Sequence, residues 1–219
     1  MTPLAGLERQ PRGFGVALVV AALVPASLIL IALLSDLFLY SRHLGSDPIK
    51  EGEHLLGNWT LRFLVLTLSI TPLRRLTGWN WLAKHRRTLG LFAFGYACLH
   101  LLTWALLDMQ IGISEFVGWD DIAEDILKRP YITIGMLAFL LMVPLALTST
   151  KRMIARLGKR WRKLHRLIYV IAPLGVIHFW MSVKRDIAEP LVFALIFAVL
   201  LGWRVMDSRR AREAARARA

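Results

Sequence analysis

From Gly13 to Ser35 the chain carries no charged residue. As an α-helix that stretch is about 34 Å long, enough to cross a hydrocarbon core of about 30 Å. Further apolar segments follow at about Leu55–Leu73, Thr88–Leu107, Tyr131–Thr150, Leu167–Val183 and Pro190–Trp203. The second contains Arg62, whose long stem can carry its guanidinium to an interface, and the last is the shortest. In a 219-residue chain that is 56% hydrophobic with a mean hydropathy of +0.52, the charges gather between these segments. A soluble domain of this size would disperse them over its surface, so the pattern predicts an all-α integral membrane protein built as a six-transmembrane-helix bundle.

The first segment is longer than the apolar region of a cleaved signal peptide, about 7–15 residues, and is read as a retained membrane helix. The net charge of +13 arises from 28 Lys and Arg against 15 Asp and Glu. Such a balance suits nucleic acid, anionic lipid or membrane topology; its alternation with apolar segments selects topology and leaves no role for nucleic acid. Arg9 and Arg12, then Arg74, Arg75, Lys84, Arg86 and Arg87, fall on one side. Lys151, Arg152, Arg156, Lys159, Arg160, Arg162 and Lys163, and finally Arg209, Arg210, Arg212, Arg216 and Arg218, fall on the same side. The opposite side holds only Arg42, Lys50, Lys128, Arg129, Lys184 and Arg185. Cytoplasmic loops carry the basic excess, so both termini are predicted to be cytoplasmic. Residues 1–219 then form a single membrane domain, and the basic tail from about residue 207 to 219 suits contact with anionic membrane lipids.

The third connection, on the outer side, interleaves Glu115, Asp120, Asp121, Glu124 and Asp125 with Phe116, Val117, Trp119, Ile122 and Ile126. That spacing predicts a short amphipathic helix along the outer surface. The single cysteine, Cys98, lies in an apolar segment, which excludes an intrachain disulfide and a cysteine-ligated metal cluster. Gly13-Phe14-Gly15 opens a G-x-G pattern, but no strand precedes it and the third glycine is missing. Neither a dinucleotide fold nor a phosphate-binding P-loop is present, so NAD(P)H and ATP are not bound by those means.

The histidines carry the most information. His43 and His54 fall in the first outer connection, His85 in a cytoplasmic one, and His165 where the fifth helix begins on the inside. His100 and His178 lie within apolar segments, where an unpaired imidazole is costly. The third and fifth helices run in the same direction, and His100 and His178 reach a similar depth, roughly 18–20 Å from the helix starts. Two neutral imidazoles at one level on different helices suit the two axial positions of a b-type haem, although an interhelical hydrogen bond is the other reading of either residue. Phe92, Phe94, Tyr96, Phe179 and Trp180 are available as an aromatic lining. His165 would lie roughly 20 Å deeper and serve an inner site, with His85 as the second-haem ligand available opposite it. Thirteen residues at about 100° each leave His165 and His178 about 140° apart around an ideal helix, which Pro173 between them can alter. Arg62, Arg87, Arg162, Lys163, Lys184 and Arg185 could hold haem propionates or a flavin phosphate, or serve only topology. His54 could assist electron exit or quinone contact.

The segments LGSDPIK (44–50), ITPLRRL (70–76), RRTLGLFAFGYACLH (86–100), KRPYITIG (128–135), LTST (147–150), LGKRWRKLH (157–165) and IHFWMSVK (177–184), in this order, resemble the MsrQ (YedZ) family. That family supplies the haem-containing membrane subunit of the MsrPQ methionine-sulfoxide reductase system and is similar to the ferric reductase-like transmembrane domains of NADPH oxidases. The resemblance spans about residues 44–184 and implies haem ligands at His100, His165 and His178. It implies haem b and FMN as cofactors and a bacterial inner-membrane location. It also implies electron transfer to the periplasmic subunit MsrP, which reduces methionine sulfoxide in oxidised periplasmic proteins. The related oxidase domains place two histidines on the third helix; here Arg86 occupies the fourteenth position before His100.

The resulting expectation is an electron-transfer subunit without substrate chemistry or catalytic residues of its own. It would take electrons from the quinone pool or a cytosolic flavin reductase. A ferric or other metal reductase of b-cytochrome type is an alternative within the same class. A membrane transporter or assembly factor that binds no haem is the alternative outside it, although paired halves with broken helices are not evident.

Overall fold

The computed structural model describes residues 10–109, 119–183 and 187–217, and the regular structure among them is helical. Nine α-helices are described: α1 (Phe14–Phe38), α2 (Pro48–Thr77), α3 (Arg86–Thr103), α4 (Trp119–Lys128), α5 (Pro130–Leu147), α6 (Lys151–Leu157), α7 (Lys159–Leu164), α8 (Ile168–Ser182) and α9 (Ala188–Arg216). A 3-10 segment, Asn80–His85, leads into α3, another at His165–Leu167 leads into α8, and α3 ends in a π-helical turn, Trp104–Asp108. The anticipated helix in the third connection is present as α4; Glu115, Phe116 and Val117 lie outside the described residues.

Among the described residues, five helical stretches are long and apolar enough to cross a membrane: Phe14–Phe38, Asn80–Asp108, Pro130–Leu147, Lys159–Ser182 and Ala188–Arg210. The sixth expected span, α2, is 30 residues long but is not among them. Its position accounts for its polarity. It packs against α1, α3, α8 and α9, and Leu56, Asn58, Leu61, Phe63, Leu64, Thr67 and Leu68 are all buried. A helix enclosed by other helices need not dissolve in lipid. Its hydroxyls bond back to its own carbonyls, Thr67 to Phe63 at 2.7 Å and Ser69 to Val65 at 2.8 Å. Arg62 stays half-buried with its guanidinium carbon 4.9 Å from the Trp59 ring centroid. Helix α9, read from sequence as the shortest segment, runs for 29 residues because its Arg- and Ala-rich continuation is itself helix-forming.

The ends of α2 are written in its sequence. Asp47 accepts the Lys50 N–H at 3.2 Å ahead of Pro48, and Gly78, at φ 78°, closes the far end by donating its N–H to the Arg74 carbonyl at 3.0 Å. Before α2, the Asp36 carboxylate accepts the N–H groups of His43 and Leu44 at 2.9 and 2.7 Å, which pins the loop from α1. On the outside of the bundle Val16, Val20, Leu28 and Ile31 of α1, Leu140 of α5 and Leu195 and Val199 of α9 are exposed, the face that hydrocarbon would cover.

Helices α1 and α3 meet through one hydroxyl. Tyr96 Oη donates to the Ala22 carbonyl at 2.7 Å and accepts the Ala26 N–H at 2.8 Å. These are the two groups that an uninterrupted α-helix would join directly. Pro25, inside α1 and lacking an N–H, loosens the same turn. Tyr96→Phe removes both bonds. A buried unsatisfied group costs about 1–3 kcal/mol, and partial reclosure of Ala22 on Ala26 brings the expected loss to about 2 kcal/mol. A clearly lowered melting temperature of the detergent-purified variant is the expected result; an unchanged one would show that the hydroxyl adds nothing to the joint.

Candidate haem-type site between α3 and α8

His100, on the last turns of α3, and His178, on α8, face each other with ring centroids 6.0 Å apart and planes at 77°. The depth argument from sequence therefore matches the fold. Each imidazole is fixed from behind. His100 Nδ1 lies 2.9 Å from the Glu53 carbonyl oxygen of α2, and His178 Nδ1 lies 2.7 Å from the Tyr131 carbonyl oxygen of α5. A carbonyl oxygen only accepts, so Nδ1 carries the proton in both rings and Nε2 keeps its lone pair. Among the described hydrogen bonds none engages either Nε2. A second N–H donated to a backbone carbonyl is the usual way a protein orients a metal-ligating imidazole.

Two glycines make room for these rings. A Cβ added at Gly135 would lie 2.7 Å from His178 Nδ1 and 2.8 Å from its Cε1, closer than real Cβ contacts come. A Cβ at Gly57 would lie 3.5 Å from His100 Nδ1, an ordinary contact. The α5 backbone thus approaches His178 as closely as the absence of a side chain permits.

The two histidines border a cavity of about 630 Å³ whose lining includes Leu61, Leu64, Ala97, Leu101, Phe139, Met142, Ile171 and Phe179. Two polar atoms on its lining residues are buried without a hydrogen-bond partner, Glu53 Oε1 and Trp104 Nε1. Trp104 opens the π-helical turn after α3, an irregularity frequent at functional sites. Lys50 and Asp108, also on the lining, form an ion pair at 3.6 Å.

The donor set discriminates between kinds of metal group. Two imidazoles 6.0 Å apart can share one metal ion, each ring nitrogen about 2 Å from it. No group of three or more His, Cys, Asp or Glu with metal-binding geometry occurs among the described residues. A bare zinc-type site needs three or four protein donors. A haem iron needs only two axial ones and an apolar slot for its ring, and this is what the residues provide.

His165, also singled out from sequence, lies elsewhere. Its ring stacks on Trp161 at 3.8 Å, its Nδ1 is 3.1 Å from the Trp161 carbonyl oxygen, and its Nε2 is 3.4 Å from Ser149 Oγ. Trp161 is held in turn by donation from Nε1 to the Thr148 carbonyl at 3.0 Å. His85 packs edge-on against Phe14 and Trp81, and its buried Nε2 has no partner. No ring contact joins His85 to His165 among the described residues. His54 is exposed, with its ring 5.9 Å from Phe179 at the cavity lining.

Of the aromatic residues suggested as lining, Phe179 alone borders the cavity. Phe92 stacks on Phe63, Phe94 stacks on Phe139, Tyr96 joins α3 to α1, and Trp180 is exposed on the bundle surface. Side-chain type along a helix did not say which face looks inward. Arg87, Arg162 and Lys163 are exposed and do not line the cavity, and Lys184 and Arg185 lie outside the described residues. Gly57, Gly135, Glu53 and Trp104 were not anticipated; Gly57 and Gly135 carried a visible signal, each a glycine inside an apolar segment.

Comparison with known proteins agrees with this architecture. The family described as "Ferric reductase like transmembrane component" matches residues 56–176. A relative from Azospira oryzae, named "Protein-methionine-sulfoxide reductase heme-binding subunit MsrQ", is 50% identical over 193 residues, covering 85% of this chain and 80% of its own length. A protein of the same name from Xanthomonas euvesicatoria is 53% identical over 169 residues, 77% of this chain and 75% of its own. Another from Herminiimonas arsenicoxydans is 48% identical over 191 residues, 86% and 82% of the two chains. With that family match over more than half of the chain and this identity over most of both chains, the protein belongs to the MsrQ family of ferric reductase-like membrane proteins.

Proposed function

We propose that this chain is a b-type cytochrome subunit that passes electrons across the bacterial inner membrane to a periplasmic MsrP-type partner, which reduces methionine sulfoxide in oxidised proteins. The observation that carries the reading is the His100–His178 pair, 6.0 Å apart across an apolar cavity. The names of the relatives, which describe heme-binding subunits of a methionine-sulfoxide reductase, point the same way.

Haem b bound between the two rings supplies one-electron transfer. The chain's own residues do the rest. Glu53 and Tyr131 carbonyls hold both imidazoles in the tautomer whose Nε2 can ligate, and Gly135 admits His178 to its position. Trp104 Nε1 and Glu53 Oε1 offer polar contacts at the cavity wall. His165 is the ligand toward the inner side, with His85 as the candidate donor to a second haem. FMN is the further cofactor in this reading, and the quinone pool or a cytosolic flavin reductase is the electron source. Six crossings, counting α2, with both termini in the cytoplasm, follow from the basic excess on one side.

The test is the visible spectrum of detergent-purified protein, oxidised and dithionite-reduced, with haem quantified per chain. His100→Ala and His178→Ala are each expected to abolish the outer haem bands; a haem-free wild type from haem-replete cells would overturn the reading. Gly135→Ala, which forces the His178 ring off the Tyr131 carbonyl, is expected to weaken haem binding by about 10- to 100-fold. Gly57→Ala, whose Cβ meets only an ordinary contact, is expected to keep it. A fluorescent protein fused after Ala219 is expected to light up as a cytoplasmic one does, and a periplasmically active phosphatase at that point would reverse the topology.

A further inference from the structure

On α9, facing α2 and α8, Arg204 donates from Nη1 to Tyr169 Oη at 2.8 Å and from Nη2 to Thr71 Oγ1 at 2.7 Å. Its guanidinium carbon lies 5.6 Å from the Tyr169 ring centroid, and its buried Nε has no partner. Arg86, at the start of α3, lies close enough to this group to feel the charges of Arg204, Tyr169 and Arg74. All three arginines are half-buried, and no carboxylate pairs with any of them among the described ion pairs. The cluster adjoins His165, which in turn feels the charge of Arg86.

Guanidinium groups brought together around one neutral phenol repel one another, and partial burial removes much of the water that would screen them. Snorkelling to the bulk interface does not explain the arrangement, because topogenic arginines gain by reaching outward rather than inward to one tyrosine. A single anion placed against the cluster would neutralise it. The planar forks of Arg86 and Arg204 and the unused Nε–H suit a tetrahedral oxyanion with several acceptor oxygens. We propose that Arg86, Arg204 and Arg74, arranged around Tyr169 and Thr71, form a phosphate-binding seat beside His165. Two carriers share that chemistry, the phosphate of a flavin mononucleotide and the headgroup of an anionic phospholipid. The first rests on the FMN assignment made above, whereas the seat itself does not.

The experiment measures equilibrium binding of FMN and of riboflavin, which lacks the phosphate, to the haem-loaded protein in detergent. It is paired with native mass spectrometry of phosphatidylglycerol retained by the same protein, for wild type and Arg204→Gln. The outer haem spectrum serves as the control for folding. FMN binding at least about tenfold tighter than riboflavin in the wild type, with the difference lost in the variant, would establish the seat with flavin as carrier. Equal or absent flavin binding, with phosphatidylglycerol retained by the wild type and released by the variant, would establish it with lipid as carrier and remove FMN from this position. No preference for FMN over riboflavin and no change in retained lipid would overturn the seat. Should Arg204→Gln fail to assemble with haem, Tyr169→Phe replaces it. That variant leaves all three charges in place while releasing the Arg204 fork, and the same differences are expected to shrink.

Discussion

A backbone carbonyl can accept a hydrogen bond and never donate one, and inside a bilayer that limitation becomes an instruction. The Glu53 and Tyr131 carbonyls receive Nδ1–H from His100 and His178, which assigns the tautomer of both rings and leaves the Nε2 lone pairs for a ligand. In water either ring could exchange tautomers freely. Here the donors of two carrier helices, α3 and α8, are matched to carbonyls on two neighbours, α2 and α5. The geometry of the pair is therefore a property of four helices at once. A displacement of any one of them would misdirect an imidazole.

This requirement explains why α2 is unlike the other long helices. It sits against α1, α3, α8 and α9, supplies the Glu53 carbonyl near its N-terminal end, and supplies Thr71 to Arg204 near its C-terminal end. Between these its polar residues meet protein instead of lipid. Asn58 donates to the Glu189 carboxylate on α9 at 2.8 Å. Thr67, Ser69 and Asn58 are each partnered, which makes them compatible with a hydrocarbon surround.

Much of this was legible without coordinates. The charge-free stretch after Gly13 and the matched depth of His100 and His178 rest on helix rise and bilayer thickness, which are properties of the chain and its solvent. What was not legible depends on rotation about helix axes. Phe92, Phe94 and Tyr96 are as aromatic as Phe179, yet they turn toward other helices. Hydropathy cannot decide between faces of a segment that is apolar all round. The same limit hid Trp104, which reaches the cavity lining where α3 gives way to a π-helical turn. Helix α2 was legible as the segment Leu55–Leu73, but that its polar residues face protein was not.

The Tyr96 hydroxyl inserted between Ala22 and Ala26 also bears on the order in which the protein is made. Helix α1 is synthesised first and enters the bilayer before α3 exists. At that stage the Ala22 carbonyl and Ala26 N–H have only each other, and the helix closes on itself around Pro25. When α3 arrives, its phenol gives these two groups an interhelical bond each. The joint between α1 and α3 is thus made only during assembly, and it ties the helix that carries His100 to the backbone of a helix made before it.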